Sequence, residues 1–310
     1  MKILVVLQSS VEPLYQTCTQ ILKDTYKEVC VKKKLPVDVI SYVGDAEETH
    51  FDGDTLYIAC DNKLSIDKHR ELYKYIYEHP EYDVIIKTNV STVLNLELLC
   101  KFISSQYFFQ DGFYSCVGGT YKDFHGDFDY QGKNINYIGC FPIGFFYMAP
   151  YKIWKDIYKA YDEVVNNVKM NFENQYTSNE KNAFVLRKKK NQNYIFDVHD
   201  DIMLEPLLRT IGIQCIYGLN YIKLSDDESD FNVQNLNHFF NESSIYSSVC
   251  VRCKLSLSSQ DMMKIRNIYE PKILHIFTKI YKDHNITIND EKDFMYNIRT
   301  YYYTNKKDKN

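Results

Sequence analysis

Short apolar runs alternate with longer stretches of helical periodicity along the first half of the chain. Residues 3–7 (Ile-Leu-Val-Val-Leu) carry no polar position, as a strand buried on both faces requires. Leu14, Cys18, Ile21, Leu22 and Val29 then recur at helical spacing and predict a helix over 14–31. Strands are predicted at 37–43 and 54–60, the second closed by Asp61-Asn62. Ile66, Leu72, Tyr73, Ile76 and Tyr77 predict a helix over 65–78. A strand with a continuous apolar centre follows at 82–88, then polar punctuation at 89–92 and a helix over 94–103.

The later pattern is less regular. Strands are expected at 114–117 and 137–138, around a loop at 118–133 rich in Gly, Asp and aromatics. Residues 144–148 form a short apolar run, and Pro150 suits the first turn of a helix ending near 161. Residues 166–193 are polar, with a short helix expected near 180–187. A strand at 194–198 leads into a helix at 200–211 whose first turn is acidic, favourable beside the helix dipole. Short strands at 215–217, 221–224 and 248–255 precede a long helix over 258–281.

This βαβ rhythm predicts an α/β fold: a mixed, mostly parallel sheet flanked by helices, in one domain with a C-terminal helical extension. The domain is expected over 1–256, the extension over 257–303 and a frayed tail over 304–310. There is no internal repeat and no linker long enough to divide the chain of 310 residues. The net charge of -4 gives no support for nucleic-acid coating. The 28 Tyr and 18 Phe fit core and half-buried strand positions, and AT-rich codon usage accounts for them equally well. Most of the nine cysteines sit singly in apolar segments, the usage of a reducing compartment. The pair Cys250 and Cys253 reads as strand, where residues three apart face opposite sides, rather than as a zinc half-site. The run after Met1 is too short for a secretory core or a bilayer crossing, so a soluble, cytoplasmic protein without signal peptide or membrane span is expected.

In open α/β sheets, ligands gather at the carboxyl ends of strands, near the point where strand order reverses. Polar clusters stand at several such ends: Gln8 and Ser9, Asp61, Thr88 to Thr92, and His199-Asp200-Asp201. Any one of them alone reads as a helix cap or turn. Together they outline a site.

A family resemblance enters on these residues. Tyr82-Asp83-Val84-Ile85-Ile86-Lys87-Thr88-Asn89-Val90-Ser91-Thr92-Val93-Leu94-Asn95 resembles the β3-galactosyltransferase and fringe segment Y-D-a-a-a-K-x-D-D-D-x-a-a-N. Leu64-Ser65-Ile66-Asp67-Lys68 is similar to that family's N-L-T-x-K, Gly144 to Ala149 to its G-G-G-Y-V-L, and Asp200-Asp201-Ile202 with Gly212-Ile213 to its E-D-V…G-I block. The order and spacing agree from Lys2 to Lys254. The chain looks closest to the divergent soluble glycosyltransferase-like proteins of large DNA viruses, which often read T-N-x-S where animal enzymes read D-D-D.

The resemblance implies a GT-A-type, Rossmann-like fold and an inverting glycosyltransferase. Its donor would be a nucleotide-sugar, a UDP-sugar foremost, and its acceptor a hydroxyl of a glycan or glycoprotein. Asp201 matches the family's general base, with Asp200 as the register alternative. The donor site would draw on Gln8, Ser9, Asp61, Lys68, Lys87, Thr88, Asn89, Ser91, Gly144, Arg252 and Lys254. Asn89 and Ser91 stand in the segment that holds Mn²⁺ or Mg²⁺ in the family. Here Asn89, Val90 and Ser91 replace its acidic triplet, and Cys250 falls where its late metal-binding histidine would be. Both changes remove groups a hard divalent ion favours. Lys87, Arg252 or Lys254 is the alternative source of positive charge for the diphosphate. A catalytically degenerate nucleotide- or glycan-binding relative is the competing reading. A nucleotidyltransferase is a third, and it lacks the Gly-rich phosphate loop expected near the first strand.

Overall fold

The computed structural model describes residues 1–61, 64–121, 124–175, 186–188, 194–219, 221–224 and 249–253. The expected C-terminal helix at 258–281, the tail and Lys254 lie outside them.

The chain opens β1 (Ile3–Gln8), α1 (Pro13–Lys33), β2 (Val37–Val43), β3 (His50–Asp52), β4 (Thr55–Tyr57) and α2 (Ile66–Glu78). There follow β5 (Val84–Asn89), β6 (Thr92–Leu94), α3 (Leu96–Ile103), β7 (Phe113–Ser115), β8 (Gly118–Thr120), β9 (Gly126–Tyr130) and β10 (Lys133–Tyr137). Then come β11 (Cys140–Pro142), β12 (Phe146–Pro150), α4 (Tyr151–Gln175), β13 (Leu186–Lys188), β14 (Tyr194–Phe196) and α5 (Asp200–Thr210). The described part closes with β15 (Cys215–Tyr217), β16 (Tyr221–Leu224) and β17 (Cys250–Cys253).

The central sheet has eight strands in the order β15-β7-β12-β5-β1-β2-β4-β3. It is mostly parallel: β12 runs against both β5 and β7, and β3 against β4, while the remaining pairs are parallel. Both faces of β1 are buried, as its unbroken apolar run requires. Ile3, Val5 and Leu7 join a core with α1 and α3, while Leu4 and Val6 join one with α2, α4 and α5. Helices therefore cover the sheet on both sides. No described helix is long and apolar enough to cross a membrane.

Several expectations change. The loop at 118–133 holds β8 and most of the β9–β10 hairpin, whose Phe128 and Ile135 pair across the strands and are buried. Its turn, Gln131-Gly132, has positive φ at both positions (51° and 78°), the type I′ signature. Asp129 Oδ1 accepts from Gly132 N at 3.0 Å and ties the turn down. Thr92, expected as the last polar residue before a helix, and Leu94, expected as that helix's first residue, both belong to β6 instead. The helix starts only at Leu96, capped by Asn95, whose side chain accepts from Leu98 N at 3.1 Å.

The helix expected to end near 161 runs on to Gln175. Ala160, Val164, Val168 and Phe172 keep one apolar face buried among charged neighbours. Pro150 ends β12 rather than entering that helix. The helix expected near 180–187 lies mostly outside the described residues. Its last positions, Leu186 and Arg187, belong to a strand paired antiparallel with β14. The strand expected at 54–60 is only Thr55–Tyr57, paired with the unforeseen β3.

Candidate active site at the sheet switch point

β1 lies between β2 and β5, so strand order reverses there, and ligands of open α/β sheets bind outside that reversal. The carboxyl ends of β1 and β5 meet in register at Gln8 and Asn89, which fixes the floor of the candidate cleft.

One wall is built around Lys87. Alternation along β5 turns Ile85 and Lys87 toward the face covered by α2, α4 and α5, and Lys87 is only 1% exposed. A buried ammonium demands partners. Its Nζ donates to Asp200 Oδ2 at 2.6 Å and to the Gly144 carbonyl at 3.3 Å, and stands 5.0 Å from the Tyr147 ring centroid. Asp200 Oδ2 also lies 3.3 Å from His69 Nε2. His69 Nδ1 is 2.7 Å from the Ser65 carbonyl, so the neutral ring carries its proton there and Nε2 accepts from the Tyr42 hydroxyl at 2.9 Å. Burial, reinforced by the charges of Lys87 and Lys68, lowers the His69 pKa to about 4 against the pull of Asp200. Burial disfavours the charged form of Asp200 too, but the facing His69 and Lys87 outweigh it and hold its carboxyl well below the ordinary value.

The same wall is tied to α2. Ser65 Oγ accepts from Asp200 N at 3.0 Å, and Asp197 Oδ1 accepts from the Ser65 and Ile66 amides at 2.8 and 2.9 Å. A late loop thus caps the start of α2, satisfying amides a helix leaves orphaned.

Asp201 occupies a different environment. Its Oδ1 accepts from Ile202 N at 3.0 Å and its Oδ2 from Gly144 N at 3.3 Å, and it has no cationic partner within ion-pair distance among the described residues. Burial, then the neighbouring Asp200 charge, push its carboxyl up to about 6. Gly144 makes room for this approach: a Cβ there would lie 3.0 Å from the Tyr147 hydroxyl and 3.4 Å from Asp201 Oδ2. The two aspartates are therefore set apart in charge state by their surroundings, one locked as a carboxylate and one poised to exchange a proton.

At the other rim, Asn89 Oδ1 accepts from Ser91 N (3.2 Å), Ser91 Oγ (2.8 Å) and Thr92 Oγ1 (2.9 Å). That is an Asx-type turn closing β5. Arg252 pairs across from Thr92 on β17, and its guanidinium stacks 4.5 Å from the Phe145 ring centroid. Phe145 adjoins Gly144, so the Arg252 side of the cleft and Asp201 meet along 144–145.

The remaining expected site residues divide by burial. Gln8 is half-buried at the tip of β1, and Asp61 is half-buried after β4. Lys68, in the first turn of α2, is 5% exposed. Ser9 is buried and shares a 2.6 Å hydroxyl bond with Thr19. Thr88 points to the opposite face of the sheet, fully buried, and donates to the Phe145 carbonyl at 2.8 Å. The last two stabilise the scaffold of the cleft. Lys87, Gly144, Asp200 and Asp201 are brought into direct contact. Among the described residues, no group of three or more His, Cys, Asp or Glu side chains is gathered to hold a metal ion.

Sequence reasoning missed His69, Tyr42, Ser65 and Asp197. His69 follows Ser65 by four residues, the spacing that lets its ring bond back to the Ser65 carbonyl, but that spacing also fits an ordinary buried helix position. No protein-family model matches the chain, and no curated protein matches its sequence.

Proposed function

We propose that the chain is an inverting glycosyltransferase of the GT-A type, which moves a sugar from a nucleotide-sugar, a UDP-sugar foremost, to a hydroxyl of a glycan or glycoprotein. The observation that carries this reading is Asp201: a carboxyl raised to about 6, held by the Gly144 amide at the rim of the sheet's switch point. A general base works best with a pKa near the operating pH. Asp200, committed to Lys87, is unsuited to that work. The mixed sheet, with β12 antiparallel among parallel strands, supports the same fold type.

In this mechanism Asp201 takes the proton of the acceptor hydroxyl. The acceptor oxygen bonds to the anomeric carbon from the face opposite the leaving group. The bond from that carbon to the diphosphate oxygen breaks, and its electron pair leaves with the diphosphate. Asp200 and Lys87 stay an ion pair and fix the start of α5, and with it the place of Asp201.

The donor set fits a divalent ion poorly. Asn89 Oδ1 already accepts three hydrogen bonds, Ser91 Oγ donates one of them, and both Asp201 oxygens accept backbone amides. Mn²⁺ or Mg²⁺ favours several oxygens free to coordinate, carboxylates foremost. No step here runs through a metal. Among the described residues, Arg252, stacked on Phe145 on the Asn89 side of the cleft, is a basic side chain suited to the diphosphate charge.

The spent Asn89 oxygen favours one other reading, a relative that binds nucleotide without turnover. Thermal shift against UDP, GDP, CMP and dTDP, each with and without Mn²⁺, tests what both share, because a ligand specific to the folded state raises its stability. A metal-independent shift with one nucleotide, reduced in Arg252→Met, is expected. No shift with any nucleotide overturns both readings.

A further inference from the structure

A cavity of about 450 Å³ opens at the far end of α5 between that helix, the β9–β10 hairpin and β15. Its volume lies in the range of small-molecule sites. At its centre is an arginine held in place from behind. Glu205, 5% exposed, accepts from the Ile138 and Gly139 amides at 3.0 and 2.9 Å and from Arg209 Nε at 2.7 Å. The Glu205 carboxylate is thereby fixed by backbone, and it fixes the guanidinium in turn. The two terminal amino groups of Arg209 make no hydrogen bond among the described residues, and Arg209 lines the cavity.

Around Arg209 stand three amide side chains, Asn134, Asn136 and Gln214, all exposed. An amide both donates and accepts, as a hydroxyl does, whereas an anion needs donors alone. The Arg209 charge is offset by Glu205 at its back, so the site does not present a net cation to an anionic ligand. Leu208, Ile213 and Pro142 supply apolar wall for the C–H face of a ring. Mixed donors and acceptors, a neutral balance and an apolar flank suit a neutral sugar unit.

The cavity is also linked to the candidate active site. From Asp201 to Arg209 is about 12 Å along the helix at its standard rise. Cys140 and Pro142 line the cavity, and the chain then passes directly to Gly144, which contacts Asp201. We propose that this cavity binds a neutral sugar unit of the acceptor glycan, lying beyond the unit whose hydroxyl reacts. Its role as an acceptor subsite rests on the proposed transferase reading. Its chemistry as a carbohydrate site does not.

The test uses the full chain and ligand-observed saturation-transfer NMR. The probes are the methyl glycosides of β-galactose, β-glucose, α-mannose and N-acetyl-β-glucosamine, each titrated to millimolar concentration. Gln214→Trp and Asn136→Trp fill the cavity from exposed positions, so their unliganded melting temperatures should match that of the wild type. Binding of at least one glycoside with a Kd of ~1 mM is expected, weakened about tenfold or more by either tryptophan. No binding by any probe, or binding that both tryptophan variants leave unchanged, overturns the proposal. The nucleotide shift is read separately on the wild type. A glycoside held in the cavity of a protein that no nucleotide stabilises leaves the carbohydrate site standing and removes the transferase reading.

Discussion

Lys87 and Asp200, far apart in the sequence, form an ion pair of 2.6 Å in which the lysine is 1% and the aspartate 10% exposed. The pair joins the middle of the sheet to the first turn of α5. Its two charges are tolerable only together, because each alone would be stranded away from water. Lys87→Met should destabilise the fold at pH 7 by about 3 kcal/mol, leaving Asp200 as an uncompensated carboxylate. Protonation relieves that defect. Without Lys87 the folded-state pKa of Asp200 rises above its unfolded value, so the deficit is largest at neutral pH and shrinks on acidification. Urea unfolding at pH 7 and pH 5 reads both effects.

His69 and Asp201 titrate in opposite senses. His69 has a folded-state pKa lowered to about 4, so the unfolded chain binds more protons between that value and 6.5, and stability falls as pH drops through the window. Asp201, raised to about 6, binds protons in the folded state first, so between 6 and 3.8 its contribution grows as pH drops. The two largely cancel in the wild type. His69→Gln should expose a stability that rises on acidification, and Asp201→Asn one that falls more steeply than in the wild type. Unfolding free energies measured from pH 7 to pH 4 check the pair of opposite slopes.

On the proposed reading, Gly144 bears on function more than on folding. The Cβ of Gly144→Ala would press on the Tyr147 hydroxyl, 3.0 Å away, which must shift by a few tenths of an ångström, and would fill the space up to contact with Asp201 at 3.4 Å. Small displacements of a catalytic group cost much in rate, so a loss of about tenfold in kcat/KM is expected with little change in melting temperature. Steady-state kinetics beside a thermal melt separates the two.

On the proposed reading, the acid limb of the rate profile belongs to Asp201. With its carboxyl at about 6, kcat/KM should fall with one proton below that pH. Asp200→Asn removes a negative neighbour and leaves Lys87 unopposed, and both changes favour the charged form of Asp201. The limb should therefore move to lower pH. A limb that stays in place in Asp200→Asn would mean that another group sets it.

The sheet was legible where one physical signal dominated. The unbroken apolar runs of β1 and β5 announced strands buried on both faces, and β2, α1, α2 and α5 fell within a residue or two of their expected places. The hairpin at 126–137 was not legible, because its turn uses Gln131-Gly132 rather than the Asn-Gly that usually marks type I′ geometry. The length of α4 was hidden by charged residues flanking a single apolar face. In the site, Lys87 and the aspartates stood out as polar residues ending apolar strands. The partners that decide their chemistry did not, because Tyr42, His69 and Gly144 reach them only through the folded sheet. No local pattern told Asp200 from Asp201. The difference lies in which carboxylate faces Lys87.

Turnover of a nucleotide-sugar by the wild type and by Asp201→Asn, with nucleotide binding measured on both, tests the central claim most directly. UDP-sugars are offered first, then GDP-, CMP- and dTDP-sugars, and donor consumption is followed in the presence of a glycan acceptor. Turnover with inversion at the anomeric carbon is expected in the wild type. A loss of about a hundredfold or more is expected in Asp201→Asn, with the nucleotide-induced thermal shift retained. Asp201→Asn as active as the wild type, or a wild type that binds nucleotide yet consumes none of these donors, would contradict the claim.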